Sequence, residues 1–277
     1  MESAALWLGH GMKWLVLIGV LLLVVVFLGF GWGGGGQAAI DVVGSTSIQP
    51  FAEMLAQEFN RQHPEGLVEI QGGGSTAGLQ AASNGIAGIG MCSRALKQEE
   101  AEQFTAVTIA RDGLAVVVHP SNPVEDLSLA QVKSIFAGQA TNWKEVGGQD
   151  RPVRIITREE GSGTREAFMK MVMGKARISR KALTQESNGS VKELVKHDPC
   201  AIGYMSLGLV GGELKALRIG GVPAAEAEVQ EGRYPLVRPF LFVTKGRPGA
   251  EAQRFIDYVL SAEGQRRLKE EGLVGAQ

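Results

Sequence analysis

The sequence Arg158-Glu159-Glu160-Gly161-Ser162-Gly163-Thr164 joins two stretches of different periodicity. Residues 153–157 before it are rich in β-branched side chains and predict a strand, whereas residues 165–171 after it carry apolar side chains at helical spacing. A glycine–serine loop in this position directs hydroxyls and free backbone N–H groups toward the space above the helix N-terminus. That space favours an anion, because its N–H donors are unsatisfied and the helix dipole is positive there. The alternative interpretation is an ordinary capped helix after a turn.

The same order of strand, hydroxyl loop and helix occurs twice more. Residues 40–43 predict a strand before the loop Gly44–Ser47, and residues 67–70 predict another before Gly72–Thr76. Because ligands of α/β sheets bind beyond the carboxyl ends of the strands, three such loops predict one shared site for a small oxyanion. The segment Ser187–Ser190 resembles them weakly and is interpreted as a helix N-cap only.

Arg158 would supply the positive charge of this site. Its planar guanidinium can hold two oxygens at once, and Glu160, two residues later, could orient it. The alternative for Glu160 is a solvated acid in the first turn of the helix, where the dipole favours a negative charge.

Composition limits the class of protein. The 277 residues carry a net charge of −1, with 28 basic and 29 acidic side chains and no basic cluster, which argues against a nucleic-acid partner. The two cysteines, Cys92 and Cys200, are too sparse for a disulfide framework, so we expect two separate small buried residues.

The N-terminus predicts export. Residues 14–32 form an almost unbroken apolar run that follows Lys13 and is about long enough to cross a bilayer as a helix. A cleaved secretory signal and a retained membrane anchor are both consistent with it, and the length favours the anchor. Residues 1–39 therefore form the signal or anchor, and Gly33–Gly36 form a flexible tether. The rest of the chain would be periplasmic or extracytoplasmic.

The remainder of the chain alternates predicted strands and helices. This alternation predicts an α/β protein with mostly parallel sheets covered by helices. The second of two apolar runs within residues 105–119 is interpreted as the crossing into a second α/β unit, which extends to about residue 232. Helices are predicted at 97–104, 129–136, 250–260 and 263–271.

Motifs of nucleotide-binding and catalytic sites are missing. No phosphate-binding P-loop or dinucleotide fingerprint occurs. Ser162 and Ser75 lack the glycine pair of a nucleophile elbow, and the four histidines show no metal spacing. Because no base stands beside a hydroxyl loop, covalent catalysis has no support. The sequence predicts a binding protein without metal or cofactor, not an enzyme.

With these motifs in this order, residues from about 40 to 277 resemble the phosphate-binding proteins of bacterial ABC importers. The motifs that carry the resemblance are Gly44–Pro50, Gly72–Thr76, Gly138–Gly148 and Arg158–Thr164. The resemblance implies a two-lobed periplasmic-binding-protein (Venus-flytrap) fold, with each lobe a sheet flanked by helices, preceded by an N-terminal hydrophobic helix. It implies residues 40–117 with 235–277 as the first lobe and 118–234 as the second, with the ligand buried when the lobes close.

Carried over by position, the resemblance also implies a ligand site shared by both lobes. The ligand would be inorganic phosphate, delivered to an ABC permease in the membrane. The implied ligand-binding groups are the Thr46 hydroxyl, the backbone N–H of Ser47, Ser75, Arg158, Ser162, Gly163 and Thr164, with Glu160 as the acid that braces the arginine.

One position departs from the family pattern. Where relatives usually carry an aspartate in the short strand before the Ser93-Arg94 pair, this chain has Gly88. That aspartate accepts the proton of bound phosphate, so sulfate or another tetrahedral oxyanion is the alternative ligand. We therefore expect sulfate to compete well and Gly88→Asp to widen the preference for phosphate. The alternative is that Asp112, Glu160 or a backbone carbonyl supplies the acceptor instead. An anchored anion sensor is the alternative from another class, and a phosphatase is the third.

Overall fold

The computed structural model describes residues 38–64 and 66–276. The predicted membrane helix and its glycine tether lie outside these residues. Within the described ranges, no helix is long and apolar enough to cross a membrane. From Ala39 onward the chain forms one compact unit.

Strands and helices alternate along most of this unit. The strands are β1 (Ala38–Gly44), β2 (Gly66–Gly72), β3 (Ile89–Cys92), β4 (Phe104–Val118), β5 (Asp126–Leu127), β6 (Arg154–Arg158), β7 (Leu183–Gln185), β8 (Ala201–Ser206), β9 (Lys215–Ala216), β10 (Arg218–Ile219), β11 (Val237–Lys245) and β12 (Val274–Gly275). The helices are α1 (Gln49–Gln62), α2 (Ser75–Ser83), α3 (Gln98–Ala101), α4 (Leu129–Phe136), α5 (Gly163–Phe168), α6 (Asn188–His197), α7 (Glu226–Gln230), α8 (Ala250–Leu260) and α9 (Ala262–Glu270). Helix α5 continues as a π-helical segment, Met169–Met173.

Local sequence explains several helix boundaries. Pro50 lies in the first turn of α1, where a missing N–H costs nothing, and Phe51, Leu55 and Phe59 of this helix are buried on its inner face. Helix α4 begins after Ser128, whose side chain accepts the N–H of Gln131 in a capping box.

The principal sheet has the strand order β2-β1-β3-β11-β4-β8-β6-β7. Its layout follows from β4, which changes partners along its length. Residues 104–113 pair antiparallel with β11, and residues 114–118 pair antiparallel with β8. One long strand therefore belongs to the sheets of both lobes.

The two largest hydrophobic cores are separate, as a two-lobed fold requires. One contains α1 and β11 side chains, including Phe51 and Phe242, with Phe255 of α8. The other contains Phe168 and Tyr204, whose rings stack with centroids 4.1 Å apart. Each core lies between its part of the sheet and the helices that cover it.

The sheet is mixed, so the prediction of mostly parallel sheets is wrong. Parallel pairs join β1 with β3, and β6 with both β7 and β8. Strands β4 and β11 are antiparallel to each other. Strand β3 pairs antiparallel with β11, and β8 pairs antiparallel with β4. The reason is that β11 enters the first lobe directly from the second, and such a strand needs no helical crossover.

The predicted helix boundaries agree with the structure in some places and not in others. The helix predicted at 129–136 matches α4, and the two predicted closing helices match α8 and α9 within a residue or two. The helix expected over 97–104 is confined to Gln98–Ala101, and the two apolar runs of 105–119 form one continuous strand. Cys92 and Cys200 are unbonded, with Cys92 buried and Cys200 half-buried.

Candidate anion-binding site

Loops at the N-termini of α1, α2, α5 and α6 meet at one place. Ser47 Oγ, before α1, lies 2.7 Å from Thr164 Oγ1 in the first turn of α5. The N–H of Thr76 in α2 donates to the carbonyl oxygen of Gly161 at 3.1 Å. Asn188 Nδ2, at the start of α6, donates to Ser47 Oγ at 2.8 Å. The three predicted loops therefore converge, and the fourth segment joins them.

Two glycines permit this close approach. Gly44 has a φ of +142°, and a Cβ there would lie 2.4 Å from the carbonyl oxygen of Met91. A Cβ on Gly163 would lie 2.1 Å from Ser75 Oγ and 2.8 Å from Ser93 Oγ. A larger residue at either position would separate the loops.

Arg158 is the last residue of β6 and is 1% exposed. Its Nη2 donates to Thr46 Oγ1 at 3.1 Å, and its Nε and Nη2 each lie 2.8 Å from a carboxylate oxygen of Glu159. The third nitrogen, Nη1, is buried and has no hydrogen-bond partner in the described chain. A buried N–H group without a partner is costly, so this nitrogen is suited to an added acceptor.

The acid that pairs with Arg158 is Glu159, and the prediction of Glu160 in this role needs correction. Glu160 is exposed. Glu159 follows Arg158 directly and folds back along the guanidinium, so that two parallel hydrogen bonds form. Spacing alone did not distinguish the two neighbouring glutamates.

The remaining predicted residues have identifiable contacts. Ser162 Oγ caps α5 by accepting the N–H of Arg165 at 3.2 Å. The N–H of Ser47 donates to Ser45 Oγ, and the Ser47 hydroxyl, instead of its N–H, faces the other loops. Ser75 Oγ accepts the N–H of Ser93 at 3.1 Å and is fully buried.

An ion pair between β4 and β11 lies beneath these hydroxyls. Its aspartate was considered from the sequence only as an alternative acceptor, and its arginine was missed. Arg238 and Asp112 are register partners, with Arg238 Nη2 2.8 Å from Asp112 Oδ2. Arg238 also donates to Thr164 Oγ1 at 2.7 Å and to Ser47 Oγ at 3.1 Å. Burial raises the pKa of Asp112 and lowers that of Arg238, and their mutual attraction opposes both changes.

The sequence carried only a weak signal for this pair. Asp112 stands just before the apolar run of residues 114–118, and Arg238 stands before that of residues 240–243, where a buried charge would require a partner. Asn188 gave a weaker sequence signal as a site residue, because its segment was interpreted as a helix cap only. Ser187 does cap α6, accepting the N–H of Ser190 at 3.0 Å, while the next residue reaches the site.

Gly88 does not face the site, which corrects the interpretation of its departure. It precedes β3, at the end of that strand opposite the hydroxyl loops, and its N–H donates to the carbonyl oxygen of Asp41. A Cβ there would meet Ile40 Cγ2 at 3.1 Å and Ala252 Cβ at 4.0 Å. A carboxylate at this position would not meet a ligand held by the loops.

Comparison with known proteins places the chain in a family. The model of the PBP superfamily domain matches residues 33–263. The phosphate-binding protein PstS of Bacillus subtilis (strain 168) is 32% identical over 236 residues, which cover 84% of this chain and 78% of the relative. The chain belongs to the PBP superfamily and, within it, to the PstS family.

Solved structures agree with this assignment. A putative phosphate ABC transporter substrate-binding protein from Clostridium perfringens, with bound phosphate, is 39% identical, has a TM-score of 0.84 and covers 86% of this chain and 100% of its own. An ABC-type phosphate transport receptor from Vibrio cholerae is 37% identical, has a TM-score of 0.72 and covers 85% of this chain and 99% of its own. The two-lobed fold and the family predicted from the sequence are confirmed. The family consists of transporter binding proteins, not enzymes.

Proposed function

We propose that this protein captures inorganic phosphate between its lobes and delivers it to an ABC permease. Arg158 carries the proposal, because its Nη1 is buried and has no partner within residues 38–64 and 66–276, while its Nη2 donates to the Thr46 hydroxyl. A tetrahedral oxyanion supplies the acceptors that these donors lack. The PstS relatives and the phosphate-bound structural neighbour support phosphate as that oxyanion.

Hydrogen bonds would dominate over net charge in this site. Its two arginines are each paired with a carboxylate, Arg158 with Glu159 and Arg238 with Asp112. The four charges cancel, so the affinity for the anion would come from directed donors in a buried place. Thr46, Ser75, Ser162, Thr164 and the first N–H groups of α5 are the groups we assign to it, together with Arg158.

The proposed lobes are residues 40–117 with 235–277, and residues 118–234. The two separate cores support this division, except that Leu114, Val116, Leu236 and Val274, near its boundaries in the fold, pack into the core of the second lobe. The change of β4 partners between Gly113 and Leu114 supports a crossing point near its first boundary. Rotation of the lobes about the β4–β11 crossing would open and close the site.

Export is part of the proposal. The apolar run of residues 14–32 supports an N-terminal membrane helix, with Gly33–Gly36 as its tether. The binding unit would then work outside the cytoplasm, close to a permease in the same membrane.

The test is calorimetric titration of the full-length protein, kept soluble with a mild detergent, with phosphate, sulfate, molybdate and arsenate. We expect saturable phosphate binding at one site per chain. Saturable binding of sulfate or molybdate without phosphate binding would reassign the ligand. Absence of binding to all four anions would overturn the proposed function.

A further inference from the structure

A chain of hydrogen bonds runs from the Arg238–Asp112 pair to the anion site. Arg238 Nη2 donates to Ser47 Oγ at 3.1 Å, and Arg238 Nη1 donates to Thr164 Oγ1 at 2.7 Å. The Ser47 and Thr164 hydroxyls lie 2.7 Å apart, and either could donate to the other by distance alone. Their neighbours decide the direction.

Ser47 can only donate toward Thr164. A hydroxyl has one hydrogen and two acceptor positions. Ser47 Oγ accepts from Arg238 Nη2 and from Asn188 Nδ2 at 2.8 Å, which fills both positions. The Asn188 amide has a fixed orientation, because its Oδ1 accepts the N–H of Ser206 at 3.2 Å. The hydrogen of Ser47 is therefore directed at Thr164 Oγ1.

Thr164 is left with a hydrogen and no free acceptor position. Its Oγ1 accepts from Arg238 Nη1 and from Ser47, and residues 38–64 and 66–276 provide no acceptor for its own hydrogen. Thr46 is in a similar state, since its Oγ1 accepts from Arg158 Nη2 at 3.1 Å and from Asn188 Nδ2 at 3.4 Å. Two threonine hydroxyls, one from each lobe, are thus committed as donors.

We propose that Arg238, held by Asp112, is a positioning residue that fixes the Thr164 hydroxyl as a hydrogen donor to the bound anion. This inference rests on the proposed function, because it assigns a role at the same site. A guanidinium has hydrogen-bond donors only, so Arg238 cannot accept a hydrogen bond and reverse the direction of this series of hydrogen bonds. Without it, Ser47 could accept from Thr164, and Thr164 would turn a lone pair toward the anion.

Asp112 is the fixed end of this arrangement. It is fully buried, and its Oδ1 accepts the hydroxyl of Ser206 at 2.8 Å while its Oδ2 holds Arg238. Ser206 thereby orients Asp112 through its hydroxyl and Asn188 through its N–H. Ser206, at the end of β8, therefore holds Asn188 directly and Arg238 through Asp112.

The test compares the effects of Thr164→Val and Thr46→Val on phosphate affinity in two full-length backgrounds. The first is the unchanged protein, and the second carries Arg238→Met with Asp112→Asn. The double change avoids a buried unpaired charge, and asparagine keeps an acceptor for the Ser206 hydroxyl. Thr46 is the matched control, because Arg158 and Asn188, not Arg238, set the direction of its hydroxyl.

In the unchanged protein we expect each valine substitution to weaken phosphate binding by about tenfold or more, as for loss of one donor to a charged acceptor. In the Arg238→Met, Asp112→Asn background, the Thr164→Val effect should shrink to less than about threefold while the Thr46→Val effect persists. Equal Thr164→Val effects in both backgrounds would overturn the inference. An equal reduction for both threonines would overturn it as well, because it would indicate general loss of the site.

A third variant guards against misfolding of the double variant. Arg238→Lys keeps a charged group with donors only, so we expect it to retain the Thr164→Val effect. Loss of that effect in Arg238→Lys, with an unchanged melting temperature, would contradict the inference.

A surface control, Arg61→Met with Glu58→Leu, removes another Arg–carboxylate pair at the far end of α1 and should leave both effects intact. If the unchanged protein fails to bind phosphate, the proposed function itself is wrong.

Discussion

Arg158 and Glu159 are adjacent in sequence and form a two-point ion pair, with Nε 2.8 Å from Oε2 and Nη2 2.8 Å from Oε1. The pair immobilises one edge of the guanidinium. It leaves Nη1 buried and without a partner in the described chain, while Nη2 also donates to the hydroxyl of Thr46. A charge that is both buried and oriented can bind an anion with little loss of conformational freedom.

The first prediction concerns this arginine. Arg158→Ala should weaken phosphate binding by more than about tenfold, because a hydrogen bond to a charged partner contributes roughly 1.5–3 kcal/mol. Calorimetric titration measures the change. Arg154→Ala is the matched control, since Arg154 begins the same strand, is exposed and should leave the affinity unchanged. Near-normal affinity of Arg158→Ala would exclude this site.

The second prediction separates the two glutamates. Glu159→Gln places an amide N–H against the guanidinium donors and should weaken binding by about three- to tenfold. Glu160→Gln changes an exposed side chain and should alter the affinity by less than about twofold. The two variants are compared in parallel titrations. A larger loss in Glu160→Gln would show that Glu160 is the brace after all.

The third prediction concerns contacts, outside the site, between residues of the two proposed lobes. Glu166 Oε2, on α5, lies 3.0 Å from Arg94 Nε and 3.2 Å from Lys97 Nζ, and its Oε1 accepts from Thr76 Oγ1 at 3.4 Å. The Arg94 Nε hydrogen is not aligned with the carboxylate, so that contact is coulombic. If the lobes divide as proposed, these contacts would stabilise the closed arrangement.

Glu166→Gln should therefore increase the dissociation rate of phosphate by about two- to fivefold, because partly exposed ion pairs contribute up to roughly 1 kcal/mol. Stopped-flow release into a phosphate trap measures this rate. Lys97→Met removes only the more exposed partner and should have a smaller effect. An unchanged rate in Glu166→Gln would show that the contacts do not hold the lobes together.

The fourth prediction concerns Gly88. Gly88→Asp should leave the ratio of phosphate to sulfate affinity unchanged, because the new side chain would face Ile40 and Ala252. It should lower the free energy of unfolding by about 1 kcal/mol through crowding. Competition titration and thermal unfolding give the two values. An increased preference for phosphate over sulfate in Gly88→Asp would contradict this prediction and would support the sequence-based interpretation that an acid at this position contacts the ligand.

The fifth prediction is the absence of turnover. Ser162 Oγ accepts the N–H of Arg165 as a helix cap, and no base in the described chain stands ready to remove its proton. A chromogenic phosphomonoester should release no product above a heat-denatured sample. Steady turnover that disappears in Ser162→Ala would contradict the assignment as a binding protein.

The loops of the site were predictable because their signals are local. Glycine, serine and threonine between a strand and a helix have the same meaning wherever they occur, so the region around Arg158 and the first two loops could be assigned from the sequence. The strand order was less accessible. Nothing in residues 237–245 reveals that β11 inserts between β3 and β4, which makes the sheet mixed.

Two site assignments failed for a physical reason. Glu159 and Glu160 have the same chemistry, and only the direction of the backbone after β6 decides which one faces Arg158. Gly88 lies in the correct strand region, but at the end remote from the loops. Arg238 and Asp112 are 126 positions apart, so their contact is a property of the fold.

The crossing of β4 and β11 has a mechanical consequence. The two strands pass between the lobes as hydrogen-bonded neighbours, with Val237 opposite Gly113 and Arg238 opposite Asp112. A narrow ribbon of strands can twist further than a wide sheet without losing its hydrogen bonds. Rotation of one lobe against the other would load this ribbon as a torsion spring, and its elastic stiffness would depend on the same residues that orient the donors of the site.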